Sequence, residues 1–175
     1  MWNIIYLASG KANLKIDNVV YNDYIIDREI KDDMINVDLT LFDLIVATPP
    51  CNYWSRANCN INSEYSQKTK YLLPLIIWKC IALDKPFIIE NVINKKRMKF
   101  LDEVKRYCYY QEVGRHCYFT SHKIDLSVIP QKQDFKTGGV FINKGDDRQG
   151  GSNVNNVLEY YIKKVIEMDG KKCLQ

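Results

Sequence analysis

A chain of 175 residues, 46% hydrophobic and 26% charged, is long enough to bury a core and too apolar to stay disordered. Its formal net charge of +4 permits a nucleic-acid partner without demanding one, and no apolar run approaches the length of a bilayer span, which argues against a membrane partner. None of the six cysteines forms a Cys-x-x-Cys pair, which argues against a zinc site. Met1-Trp2-Asn3 leads straight into a strand-like run with no charged leader, so the expected compartment is the cytoplasm, with thiols reduced.

In chain order, Asn3-Ile4-Ile5-Tyr6-Leu7 reads as a buried first strand. Residues 8–13 follow as a tight turn in which only Gly10 takes a positive φ without cost. Strand, small-residue turn and helix together bring backbone N–H groups to a nucleotide-like ligand, although such a turn needs small residues for packing alone. Val19-Val20-Tyr21 is a second strand ending in Asn22-Asp23. An acidic residue there either accepts from ribose hydroxyls or is a solvated loop aspartate. Residues 27–35 are charged and fit a short helix, and Asp38 precedes a third strand over 43–47.

That third strand is stopped by Thr48-Pro49-Pro50, because proline cannot donate to a ladder and restricts the residue before it. Cys51 therefore sits on a stiff loop past the strand's carboxyl end. Open α/β sheets place their ligands there, so its thiol is a candidate nucleophile. The polar and aromatic stretch 52–62 reads as a covering loop. Residues 63–83 form the longest helix candidate, with Pro74 kinking or restarting it. Phe87-Ile88-Ile89 is a fourth strand that ends in Glu90-Asn91-Val92. A carboxylate in that place either faces the ligand edge or caps a neighbouring loop.

Residues 95–107 read as a basic amphipathic helix with a solvated lysine face, and residues 109–121 as a hairpin turning at Gly114. His116 and His122 flank the strand after Arg115 and read as structural residues. Residues 130–152 read as a long irregular stretch, and 153–166 as a final amphipathic helix. With no internal repeat and no linker, the expectation is one domain, residues 1–175, of alternating strands and helices.

Thr48-Pro49-Pro50-Cys51-Asn52-Tyr53-Trp54-Ser55 resembles the Pro-Cys nucleophile motif of the cytosine-5 DNA methyltransferases, and Glu90-Asn91-Val92 resembles that family's Glu-Asn-Val motif. Glu90 lies 39 positions after Cys51, a separation typical of the family. Arg115 before an apolar strand is similar to its basic motif, and Arg148-Gln149-Gly150-Gly151-Ser152-Asn153 to the turn that opens its last helix. Tyr6-Leu7-Ala8-Ser9-Gly10 resembles its first motif. Ala12, Asn52, Trp54 and Val113 depart from the usual residues, and Ser152-Asn153 reverses the usual order.

The resemblance implies a Rossmann-like α/β fold for S-adenosylmethionine-dependent methyl transfer, a mostly parallel sheet with an antiparallel hairpin near its C-terminal half. It implies S-adenosylmethionine as cofactor, held through Leu7, Ser9, Gly10, Asp23, Asp38, Pro49 and Asn153. It implies DNA as partner, with a flipped cytosine bound near Pro50, Ser55, Asn91 and Val92. Cys51 is then the nucleophile, Glu90 the acid that binds the base, and Arg115 a support for the base or for Glu90. Residues 127–150 stand where the family carries a target-recognition domain, and they are too few to form one, so a second polypeptide is a candidate supplier of recognition. Two alternatives stay open: an amino-methyltransferase of adenine or cytosine, and a catalytically impaired DNA- or protein-binding module of the phage-regulator kind.

Overall fold

Six strands form one mixed sheet in the computed structural model, which describes residues 1–55, 58, 60–129 and 151–172, with 151–153 and 170–172 described as backbone only. The strands are β1 (Ile4–Leu7), β2 (Val19–Tyr21), β3 (Leu44–Ala47), β4 (Phe87–Val92), β5 (Tyr109–Val113) and β6 (His116–Thr120). Their order is β2-β1-β3-β4-β6-β5. The first four run parallel, whereas β6 is antiparallel to β4 and β5 is antiparallel to β6. The expected mostly parallel α/β sheet with an antiparallel hairpin is thus present. No described helix is long and apolar enough to cross a membrane.

β1 and β3 are buried along their whole length, so their sequences are continuous apolar runs, as strands covered on both faces must be. Side chains alternate between two cores. Ile5, Leu7, Ile45, Ala47, Phe87, Ile89 and Phe119 pack with helices α2 (Leu72–Leu83) and α3 (Leu101–Val104). Ile4, Tyr6, Leu44, Val46, Ile88 and Tyr118 pack with α4 (Gly151–Lys172). On α4, Val154, Val157, Leu158, Tyr161, Ile162 and Val165 recur at helical spacing and are buried, each contributing about 2 kcal/mol of apolar burial.

The helix expected over 63–83 is two helices. Helix α1 (Glu64–Thr69) is capped by Ser63, whose hydroxyl accepts from Ser66 N–H, and α2 restarts at Leu72. Pro74 is tolerated because it falls in the first turn of α2, where its missing N–H would have no partner in the helix. No helix forms between β1 and β2. Residues 8–18 instead run beneath α4, with Leu14 buried in its core and Lys15 N–H donating to Glu159, so α4 covers the face that a crossover helix would have covered. Residues 27–35 carry no helix either; Asn22 and Ile30 bridge there as extended chain.

The carboxyl ends of β1 to β4 and the β5–β6 turn share one edge of the sheet. From β1 the chain passes to β2 on one side and then to β3 on the other. The crevice between β1 and β3 is therefore the reversal point at which open α/β sheets bind ligands.

Candidate active site

The β3 and β4 exits are bolted together. Asn91 is buried, and its Nδ2 donates to the Pro49 carbonyl at 3.0 Å while its Oδ1 accepts from Val92 N–H. Thr48 ties the same loop to β1: its N–H donates to Leu7 O at 3.2 Å and its hydroxyl to Ala8 O at 3.0 Å. Between these anchors Pro49 is buried and Pro50 half-buried, and Cys51 emerges exposed. The Cys51 carbonyl accepts from Ser55 N–H at 2.7 Å, closing a turn.

Two residues just after β4 hold that turn from below. Asn94 donates to Trp54 O at 2.8 Å, and Arg97 Nη1 donates to Tyr53 O at 2.6 Å and Ser55 O at 3.1 Å. This explains why the helix expected over 95–107 is reduced to Leu101–Val104. Residues 94–99 fold as successive turns around the two bracing side chains, and Arg97 is not part of a solvated face. Trp54 is buried against Tyr53 and Phe100, an apolar plug under the loop.

Glu90 lies on the α4 side of β4 and is only 8% exposed. Its Oε1 is 2.5 Å from Nδ1 of His116, half-buried at the start of β6. Tyr118 lies opposite Glu90 on β6, and Tyr6 on β1 belongs to the same core. Both phenols are pushed well above the usual tyrosine range, first by burial and then by the Glu90 charge for Tyr118; Tyr6 is partly relieved by its contact with the Thr48 hydroxyl. Arg115, expected to support the base or Glu90, sits in the exposed two-residue turn between β5 and β6, where its carbonyl accepts from Ile93 N–H. Val92, the last residue of β4, is half-buried and reaches the edge of the α2-side core.

The turn after β1 is stitched sideways to the β2 exit. Gly10 has φ 56°, and a side chain there would meet nothing within 4 Å, so the space above it is open. Ala8 also adopts a left-handed φ of 52°, which the sequence alone did not require. Gly10 N–H donates to Asp23 Oδ2 at 2.8 Å, and Asp23 Oδ1 accepts from Ile25 and Ile26 N–H. Arg28 donates to the carbonyls of Gly10 and Ala12 and lies over the Tyr21 ring. Ser9 is buried, and both its N–H and its hydroxyl donate to Asn22 O. With three backbone donors on it, Asp23 keeps about one of its roughly four acceptor positions for a ligand. The phenol of Tyr65, from α1, is raised above the ordinary value first by burial and then by the charges of Asp23 and Cys51.

Two expected cofactor residues are not brought here. The Leu7 side chain is wholly buried in the α2 core. Asp38 lies at the opposite, amino-terminal edge. It caps a single 3₁₀ turn (Leu39–Leu41), and bonds from Thr40, helped by Lys79 and Lys85, lower its carboxyl below the usual range. The Asn153 side chain lies outside the described residues, as does most of the segment 127–150. Conversely, Asn94, Arg97, Arg28 and His116 shape the site without having been singled out for it. Only His116 carried a signal, as a titratable residue at a strand end near the carboxyl edge. No protein-family model and no curated protein matches this chain.

Proposed function

We propose that the protein transfers a methyl group from S-adenosylmethionine to carbon 5 of a flipped cytosine in DNA, through a covalent adduct with Cys51. The observation that carries this reading is the Asn91-to-Pro49 hydrogen bond, which ties the Pro-Pro-Cys loop to the Glu-Asn-Val strand and sets Cys51 and Glu90 on one edge of adjacent strands. Cytosine carbon 5 is too weak a nucleophile to take a methyl group unaided. Addition of the Cys51 thiolate to carbon 6 forms an S–C bond and moves electron density to carbon 5. A proton passing from Glu90 to ring nitrogen 3 offsets the charge that develops. After transfer, loss of the carbon-5 proton, cleavage of the S–C bond and return of the ring-nitrogen proton to Glu90 restore the aromatic ring and the starting acid. The mostly parallel sheet with its antiparallel hairpin is consistent with a Rossmann-like methyltransferase fold. Asp23 and the open space over Gly10 fit a ribose and its neighbouring chain, and the bound cofactor would supply the methyl group.

The test is incubation with labelled S-adenosylmethionine and DNA, followed by location of the label. Label on carbon 5 that disappears in Cys51→Ser, with a trapped adduct on 5-fluorocytosine DNA, supports the reading. Label on an exocyclic amine that survives Cys51→Ser defeats it. A second reading, a binding module without catalysis, is favoured by the turn at Gly10, whose N–H and carbonyl are already taken by Asp23 and Arg28. DNA binding with no cofactor binding and no transfer would select it.

A further inference from the structure

Burial of a carboxylate is costly unless a donor satisfies it, and Glu90 is nearly buried, with Tyr118 opposite it on β6. Among the described residues, the one side chain that hydrogen-bonds it is His116. The contact is set by strand register. Across the antiparallel β4–β6 pair, Glu90 lies opposite Tyr118 and Val92 opposite His116, so Glu90 and His116 are diagonal neighbours on one face. The hairpin cannot slide without breaking this, because Ile93 N–H is bonded to Arg115 O and β6 is paired on both sides. Gly114 takes φ 62° in the two-residue turn, the conformation that lets β5 and β6 follow so closely.

We infer that His116 is the positioning residue of Glu90: its Nδ1–H donates to Oε1, which leaves Oε2 as the carboxyl oxygen that meets the base. The purpose given to the contact rests on the cytosine reading above; the contact itself does not. With Oε1 engaged as acceptor, the proton of the acid form resides on Oε2, facing ring nitrogen 3. When that proton passes to the ring, the carboxylate left behind is stabilised by the Nδ1–H. An ionised acceptor makes this a charge-assisted bond, about twice as strong as a neutral one. This is the task that the resemblance gives to Arg115, moved one residue along the chain to a side chain that the register aims at Glu90. The other groups around the pair are Tyr118 on β6, Tyr6 on β1 and, from the opposite face, Cys117, whose thiol burial pushes up to about 12. From α4 the same core receives Val154, Val157 and Leu158, which carry no charge.

The inference is tested first without any turnover. The chain has two histidines, so the His116 imidazole is assigned by NMR from its loss in His116→Asn. At one fixed pH its Nδ1–H resonance is compared in the native protein and in Glu90→Leu, which removes the acceptor. The expected result is a downfield, slowly exchanging Nδ1–H in the native protein that is lost in Glu90→Leu, as a short hydrogen bond to a carboxyl oxygen confers. Identical imidazole resonances in the two proteins overturn the inference whatever the enzyme does. In the turnover arm, His116→Leu is expected to lower kcat for methyl transfer about a hundredfold with the KM for S-adenosylmethionine unchanged, and His116→Asn, which keeps an N–H near the Nδ1 position, to recover part of it. Equal activity of all three proteins overturns the positioning role. Absence of transfer in the native protein defeats the cytosine reading instead, and the Nδ1–H resonance still decides the Glu90–His116 contact.

Discussion

The Nδ2 of Asn91 reaches across from β4 to the carbonyl of Pro49 at the end of β3, and this 3.0 Å bond joins the two stretches that carry the candidate chemistry. Asn91 points away from Glu90 because successive side chains of a strand alternate, so one residue serves the loop and its neighbour serves the site. Asn91→Asp keeps the acceptor for Val92 N–H and removes the donor to Pro49, facing that carbonyl with a charge. The expected loss is about 2 kcal/mol of stability by urea unfolding, with methyl transfer falling by more than that loss accounts for. A variant as stable as the native protein would remove the bolt from the account.

Thiol chemistry should separate the described cysteines into two classes. Burial holds Cys80, Cys108 and Cys117 near 12, far from the thiolate form at neutral pH, whereas Cys51 is exposed on its loop. Brief alkylation at pH 7.5, read by peptide mass mapping, should therefore modify Cys51 well before those three. Modification of Cys117 first would contradict the packing of β6.

The loop beyond Cys51 is held by one guanidinium group at two carbonyls, a geometry that an ammonium group on a flexible stem reproduces poorly. Arg97→Lys should lose about 1 kcal/mol, and Arg97→Ala about 2 kcal/mol. In both, amide exchange should accelerate at Ser55, whose N–H is bonded to Cys51 O, while the strands keep their protection. Uniform acceleration through β3 and β4 would show that Arg97 supports the whole fold rather than the loop.

Glu112 supplies a pH dependence at the edge of the hairpin. Its carboxyl is held below the usual range chiefly by Lys95, 2.8 Å away, with Tyr110 as a second donor. A lowered folded value means that this stabilisation is complete above the unfolded value of about 4.5 and is lost as pH falls through the folded one. The pair is largely solvent-facing, so Glu112→Gln should cost only about 0.5 kcal/mol at pH 7, and the two proteins should converge in urea stability near pH 3. A difference that grows on acidification has the wrong sign for this pair.

The elements that the chain announces by itself are those made by local rules. Apolar runs closed by proline or by polar residues are β1, β3 and β4, the Gly114 turn is the hairpin, and the spacing from Val154 to Val165 is α4. Ser63 and Pro74 mark helix starts because caps and the proline ring act within one turn. The Cys51 and Glu90 pairing is also legible, since each stands at the end of its own strand. What the tertiary structure alone decided is which side chains meet. Asp38, near the site in sequence, lies on the far edge because β3 begins, rather than ends, beside it. Arg97 turns from a solvated face into a brace, because carbonyls more than forty residues earlier lie above it. His116 follows Arg115 directly in the chain, yet only the β4–β6 register brings its imidazole to Glu90. Register is a pairing between strands, and no local pattern encodes it.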